Sequence, residues 1–180
     1  LPEIQAATGA DALTVVAPAC HDTGSAVAAV PASGENWAYL SSGTWSLLGV
    51  EMTEPVINPE VQKANFTNEG GVNGSIRFLR NLSGLWLLQG LRSAWAKQGS
   101  DIDYGEMTKL AETAEPFKCL IDPDDERFIN PSDMPAAIVE FCCETGQTPP
   151  ASQGEFIRCC LESLALKYRH CLDDIDRLTG

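Results

Sequence analysis

The fold of this chain is decided by the stretch Trp37-Ala38-Tyr39-Leu40-Ser41-Ser42-Gly43-Thr44-Trp45-Ser46-Leu47-Leu48-Gly49-Val50. Residues 37–40 and 45–50 are rich in aromatic and aliphatic side chains, which predicts two β-strands. The four residues 41–44 join them as a short, hydroxyl-rich connection containing the glycine that a tight turn needs. The stretch therefore predicts a β-hairpin.

Further strand signals lie on both sides of this hairpin. Upstream, the short apolar run Leu13 to Pro18 is followed by the polar turn Cys20-His21-Asp22-Thr23-Gly24, which places Asp22 at the end of a strand. Downstream, Asn73-Gly74 precedes the alternating residues Ile76 to Leu79 and predicts a second hairpin. The first half of the chain is therefore predicted to be rich in strands.

The second half of the chain has a helical period. One predicted helix has Leu85, Leu88, Leu91 and Trp95 on one face, and a second has Leu161, Leu164, Ala165, Tyr168, Leu172 and Ile175. A capping box at Ser152 to Glu155 introduces the second, and a further helix is expected over residues 131–144. Strands followed by helices in one compact unit predict an α/β or α+β domain.

Composition narrows the classes of partner. With 180 residues, 44% hydrophobic and 21% charged, the chain is an ordinary globular one of single-domain size. A net charge of −13 disfavours binding to nucleic acids and anionic membranes, although ATP is not excluded, because helix N-termini and Mg²⁺ supply local positive potential. No apolar segment approaches the length of a membrane-spanning helix, and we expect a cytoplasmic protein.

Cysteines and acidic residues offer no predicted metal site. The seven cysteines are odd in number and lack the CxxC spacing of zinc sites, so reduced structural thiols are favoured. Cys142 and Cys159 flank a proline-rich turn between predicted helices, and a bridge between them is left open. The acidic segment Asp122 to Phe128 lacks the ligand spacing of an EF-hand, which favours a solvated loop.

Two short motifs suggest chemistry. A carboxylate such as Asp22, held between a histidine and a threonine, can take a proton from a substrate hydroxyl. The connection Ser41 to Thr44 offers hydroxyls and backbone N–H groups to a phosphate. Each has a structural alternative, because Asp22 could close an Asx turn and residues 41–44 could form a plain hairpin loop.

Longer stretches occur in an order and at spacings that match a known family. They are His21-Asp22-Thr23 with Ser25-Ala26-Val27, Tyr39 to Leu47, Thr67-Asn68-Glu69-Gly70-Gly71, Asn81 with Gly84-Leu85-Trp86-Leu87-Leu88-Gln89, Asp125 to Pro131 and Ser163 to Leu166. Together they resemble the FGGY carbohydrate kinases, and within that family the rhamnulokinases. The resemblance runs through nearly the whole chain.

The resemblance implies a ribonuclease H-like (actin-like ATPase) α/β domain that is truncated here. It also implies transfer of the γ-phosphoryl group of ATP, with Mg²⁺ present, to the O1 hydroxyl of a ketose. L-rhamnulose is the expected substrate, and L-fuculose or another ketose is left open because such sugars differ by few hydrogen bonds.

The resemblance also assigns residues. Asp22 would be the catalytic base, and His21, Asp22, Thr23 and Asn81 would contact the sugar. A helix N-cap is an equal alternative for Asn81. Thr44 and Gln89 would lie on the ATP side, although the face that Gln89 occupies could equally be plain solvent.

Parts of the family pattern are not found in this sequence. Residues 1–180 are expected to be the front portion of the second, nucleotide-binding domain, with 1–24 as the inter-domain segment at its start. The amino-terminal sugar-binding domain and the later glycine-rich adenine loop are expected to belong to a longer parent chain.

Two readings without catalysis remain. Four tryptophans and three glycosylation sequons, at Asn65, Asn73 and Asn81, would suit a secreted carbohydrate-binding module. An actin-like interaction domain, with Asp22 as a relic, would suit the fold alone. Neither accounts for the matched stretches as a kinase does.

The first prediction concerns activity. The isolated 180-residue chain is expected to show little or no kinase turnover, because most of the sugar pocket and part of the ATP cleft would be absent. A coupled ADP-release assay on the purified chain measures this. Turnover comparable to that of intact sugar kinases would contradict it.

Overall fold

The computed structural model describes residues 2–10, 19, 21–34 and 36–180. In chain order the described elements are α1 Pro2–Thr8, α2 Asp22–Ala28, β1 Tyr39–Ser42, β2 Trp45–Met52, α3 Pro59–Lys63, β3 Thr67–Gly70, β4 Ile76–Ser83, α4 Trp86–Lys97, α5 Tyr104–Thr113, α6 Met134–Glu144 and α7 Gln153–Thr179. Single 3₁₀ turns lie at Val72–Gly74 and Glu126–Phe128. The predicted α/β class, with strands ahead of the large helices, is confirmed. The strand predicted at Leu13 to Pro18 lies outside the described residues.

The four strands form one antiparallel sheet in the order β1-β2-β4-β3. The predicted hairpin is confirmed, but its connection is shorter than expected. Ser42 pairs with Ser46, so Ser41 and Ser42 belong to β1 and only Gly43 and Thr44 form the loop. The second hairpin is also confirmed, and its turn includes Asn73 and Gly74 with φ of 55° and 81°.

The two faces of the sheet have different partners, and each is named here after its helix. On the α7 face, Leu48, Phe78 and Leu82 pack against Cys171 and Ile175 of α7. On the α2 face, Tyr39 and Leu79 pack against Val27 of α2. Because side chains alternate along a strand, a residue's register assigns it to one face or the other.

The helices α4, α5, α6 and α7 form a second core beside the sheet, and the predicted apolar face of α4 is buried in it. The capping box predicted at Ser152 is only half formed. Ser152 accepts from the Glu155 N–H at 3.3 Å, but the Glu155 carboxylate accepts from the Ala151 N–H instead. A complete capping box starts α5, where Asp103 and Glu106 bond reciprocally.

The acidic segment is a loop, but ion pairs fix it to its surroundings. Asp124 accepts from the Ser83 N–H at 3.0 Å and from the Arg80 guanidinium at 3.3 Å. Lys167 of α7 lies 2.8 Å from Asp122 and 3.0 Å from Asp124. The segment is a loop, as predicted, and its ion pairs join the end of β4 to α7.

The described cysteines are free thiols, and Cys143 alone among them is exposed. Cys142 and Cys159 are buried as separate thiols, so the bridge left open between them is not formed in this structure. Burial raises the pKa of the Cys142 thiol to about 12 and that of Cys171 to about 11. Both stay protonated at neutral pH and are poor nucleophiles. No helix in the described ranges is both long and apolar enough to cross a membrane.

One buried hydrogen bond joins the sheet to α7 and gives a second prediction. Ser46 is fully buried, and its hydroxyl lies 2.7 Å from the Tyr168 hydroxyl. Tyr168→Phe leaves the Ser46 hydroxyl unpaired and should lower the free energy of unfolding by about 1–3 kcal/mol. The double variant with Ser46→Ala should recover part of that loss, as urea denaturation would show. If the stability losses of the two single variants simply add up in the double variant, the Ser46 and Tyr168 hydroxyls are not coupled.

Candidate active site

Asp22 is the first residue of α2, and His21 is the N-cap of that helix. The Asp22 carboxylate accepts from the Thr23 N–H at 2.8 Å and lies 3.3 Å from His21 Nδ1. It therefore sits between the histidine and the threonine, as expected. The alternative Asx turn is not seen, because such a turn bonds the N–H two residues on rather than the next one.

The carboxylate is open to a ligand. Its side chain is 93% exposed, and it contacts only its two chain neighbours among the described residues. His21 Nδ1 accepts from the Thr23 N–H at 3.3 Å, so neutral His21 cannot also donate from that atom to Asp22. The His21 contact with Asp22 becomes an ion pair only when the imidazole is protonated.

Asn81 lies within β4, opposite Leu47, and is exposed. It is not a helix N-cap, because α4 begins at Trp86 and its N-cap is Leu85. Asn81 is two residues from Leu79 along the strand, so both lie on the α2 face. The structure thus places Asn81 and the helix carrying Asp22 on one side of the sheet, without direct contact between the two side chains.

Thr44 and Gln89 touch each other, although 45 residues separate them in sequence. Gln89 Nε2 donates to Thr44 Oγ1 at 3.1 Å. Gln89 also lines a cleft of about 270 Å³, whose opposite wall includes Asn130, Pro131 and Met134. The plain-solvent alternative for Gln89 is therefore wrong, since the side chain is half-buried and borders a cleft.

The β1–β2 loop is joined to the start of α4 by backbone hydrogen bonds. The Leu85 N–H donates to the Gly43 carbonyl at 2.8 Å, and the Trp86 N–H donates to the Thr44 carbonyl at 3.1 Å. We call this pair the hairpin–α4 clamp. It replaces a side-chain cap, which the N-cap residue Leu85 does not provide. The loop carbonyls therefore point at α4, while the Thr44 hydroxyl points at Gln89.

Gly84 makes this close approach possible. A Cβ at this position would lie 2.5 Å from the Gly43 oxygen and 2.8 Å from the Thr44 oxygen. The third close neighbour would be the Oγ of the fully buried Ser46 at 2.8 Å, so relief would require the loop backbone to move. Sequence reasoning missed this role, although a glycine between a strand and a helix is the signal that could have found it.

A tightly bound metal ion needs several ligand side chains close together. In the part of the chain that the structure describes, no three His, Cys, Asp or Glu side chains are grouped to hold a metal ion. Mg²⁺ commonly keeps several waters and binds through substrate phosphates and one or two carboxylates. A Mg²⁺ ion delivered on a nucleotide is compatible with such a surface.

Sequence comparison decides the family. The C-terminal domain profile of the FGGY family of carbohydrate kinases matches residues 38–180. The chain belongs to this family. The match begins after Asp22, but the FGGY relatives below align over most of the chain, up to 98% of it.

Several FGGY relatives are named rhamnulokinase. Those from Bacteroides thetaiotaomicron, Enterococcus faecalis and Lactiplantibacillus plantarum are 53%, 44% and 43% identical, over 98%, 93% and 92% of this chain. The chain spans only 33–36% of the length of these relatives. The predicted resemblance to the FGGY kinases and their rhamnulokinase branch is confirmed.

A solved structure supports the fold. The crystal structure of xylulose kinase from Bifidobacterium adolescentis superposes with a TM-score of 0.52 at 16% identity. The alignment covers 79% of this chain and 27% of that one. At this identity the likeness concerns the fold alone, and it confirms the predicted actin-like FGGY domain.

The clamp gives a third prediction. Gly84→Ala should lower the free energy of unfolding by about 1–3 kcal/mol, since the added methyl collides with the loop backbone. Gly70→Ala is the matched control, because a Cβ there would have no atom within 4 Å. Denaturant unfolding of both variants measures the difference. Equal stability of the two variants would show that the loop moves aside without cost.

Proposed function

We propose that the full-length protein containing this chain is an ATP-dependent sugar kinase that converts L-rhamnulose to L-rhamnulose 1-phosphate. Membership of the FGGY family and relatives named rhamnulokinase at 42–53% identity support this function. The structural observation that carries it is the open carboxylate of Asp22 on α2, in the same domain as the Thr44–Gln89 pair.

Asp22 is the proposed base. Its carboxylate accepts the proton of the sugar O1 hydroxyl as O1 bonds to the γ-phosphorus and the bond from that phosphorus to the bridging oxygen of ADP breaks. Its exposure suits the role, because the described residues contact only Oδ1 and leave Oδ2 free to accept the hydroxyl. Phosphoryl transfer depends chiefly on positioning, so one correctly placed base is a sufficient protein contribution to the proton step.

The sugar side comprises His21, Thr23 and Asn81. The side chains of His21 and Asn81 are exposed, whereas Thr23 is buried beside Asp22 and contributes mainly by fixing the carboxylate through its N–H. Asn81 offers both a donor and an acceptor to sugar hydroxyls on the α2 face. The remaining sugar contacts would come from an amino-terminal sugar-binding domain of the parent protein.

The ATP side comprises Thr44 and Gln89. Thr44 presents its hydroxyl at the tip of the hairpin, and Gln89 borders the cleft on the surface of α4. Polar groups held by a rigid clamp are suited to orienting a nucleotide, because little side-chain freedom is lost on binding. When bound, Mg²⁺ would neutralise charge on the phosphates.

The chain would be one part of a cytoplasmic kinase. Residues 1–180 would form the front of its nucleotide-binding domain, with 1–24 leading in from the preceding domain.

Trp45 is the exposed member of the four tryptophans, at 54%, so the chain does not display the aromatic platform of a carbohydrate-binding module. No observation favours L-fuculose over L-rhamnulose.

A fourth prediction tests the base. In the full-length protein, Asp22→Asn should lower kcat by roughly 100- to 10,000-fold, because the amide cannot accept the hydroxyl proton. ATP affinity should change little, since Asp22 does not contact Thr44 or Gln89. ADP release would be measured with L-rhamnulose, L-fuculose and D-xylulose, and ATP binding by calorimetry.

Asp173→Asn is the matched control, because Asp173 is an exposed carboxylate on α7, paired with Arg169. It should leave kcat near the wild-type value. Full turnover by Asp22→Asn would remove Asp22 from the mechanism, and preference for a ketose other than L-rhamnulose would overturn the proposed substrate.

A further inference from the structure

The helix that carries Asp22 is short and has few attachments. It is seven residues long, below the length at which an isolated helix is stable in water. Its position is therefore set by the surface beneath it. The buried residues of α2 are Thr23, Gly24 and Val27, which lie on one side of the helix.

Two different kinds of contact hold the two ends of α2. Near its C-terminus, Val27 packs in an apolar cluster with Tyr39 and Leu79. Near its N-terminus, Gly24 faces both Ala19 and the guanidinium of Arg77 in β4. A Cβ on Gly24 would lie 2.9 Å from the Ala19 Cβ and 3.4 Å from both Cζ and Nη2 of Arg77.

Arg77 is itself held rigidly. Its side chain is 2% exposed, Nη2 lies 2.9 Å from the Glu69 carboxylate, and Nε donates to the Gly70 carbonyl at 3.2 Å. Nη1 is buried and makes no well-formed hydrogen bond with the described residues, although the guanidinium lies near the Tyr39 hydroxyl and opposes the rise that burial causes in the pKa of that phenol. Burying a charge with one nitrogen unsatisfied costs free energy, and an apolar side chain of similar volume often stabilises a core equally well.

We propose that Arg77 is a positioning residue for catalysis, which together with Glu69 forms a rigid seat under Gly24 and thereby fixes the place of Asp22. This inference rests on the proposed function, because it concerns the placement of the base. A planar, paired guanidinium suits the task, since it presents a flat surface to the glycine and cannot rotate away without breaking its bonds to β3.

The same strand supplies a matched control. Arg80 is three residues along β4 and lies on the α7 face, with its side chain 15% exposed. It pairs with Asp124 at 3.3 Å and Asp174 at 3.9 Å, and its Nε is buried without a partner among the described residues. Arg80 thus shares the ion pairing, the buried unpartnered nitrogen and the strand of Arg77 and is only somewhat more exposed, but it lies on the face opposite to α2.

The fifth prediction compares the two arginines in the full-length protein. Arg77→Met should lower kcat on the order of 10- to 100-fold, because a small displacement of a catalytic group has an effect of that size. The KM for ATP should stay within about twofold, since the Thr44–Gln89 pair is not touched. Arg80→Met should keep kcat within about twofold of the wild-type value, even if it lowers the thermal midpoint as much as Arg77→Met does. Arg77→Lys, which keeps the charge and the pair with Glu69, should recover part of kcat.

A second readout does not need activity. Hydrogen exchange of the backbone amides of residues 22–28, measured on the same full-length proteins, should be faster in Arg77→Met than in Arg80→Met. Equal exchange rates in the two variants would overturn the positioning role. An equal loss of kcat in the two variants, after correction for the fraction of folded protein, would overturn it as well. Failure of the proposed function is seen separately, as full turnover by Asp22→Asn.

Discussion

The rest of the structure depends on the hairpin–α4 clamp. Two backbone hydrogen bonds, from Leu85 and Trp86 to the carbonyls of Gly43 and Thr44, join the tip of the first hairpin to the first turn of α4. They satisfy N–H groups that would otherwise lack a partner at the start of a helix. The approach is close enough that only glycine fits at position 84. The clamp fixes the sheet to the helical core and sets Thr44 beside Gln89.

The two faces of the sheet differ in what packs against them. Its α7 face is a conventional apolar core, closed by the Ser46–Tyr168 hydrogen bond and by ion pairs from Lys167 and Arg80 to the acidic loop. Its α2 face carries less apolar packing and an ion pair between the buried Arg77 and the half-buried Glu69, beneath the helix of Asp22. Stability is therefore concentrated on one side of the sheet, and the proposed chemistry on the other.

Much of this arrangement could be predicted from sequence. The hairpin at 37–50 and the face of α4 follow from residue pattern, because apolar periodicity reports directly on burial. Contacts between distant segments could not be predicted that way. Nothing local to Thr44 indicates that Gln89 is its partner, and Arg77 occupies a strand position where a charged residue ordinarily faces water. The half-formed capping box at Ser152 shows the same limit, since Glu155 bonds Ala151 instead. Asp22, Asn81, Thr44 and Gln89 were found through family resemblance, and their roles remain predictions.

The central claim is that the clamped end of α4 forms the ATP side of a sugar kinase. Hydroxyl-radical footprinting of the full-length protein with and without ATP, followed by mass spectrometry of the labelled peptides, tests it most directly. We expect protection by ATP within residues 86–97 or 130–134, the two walls of the cleft that Gln89 borders. Protection by ATP confined to other parts of the protein, with neither wall protected, would contradict the claim.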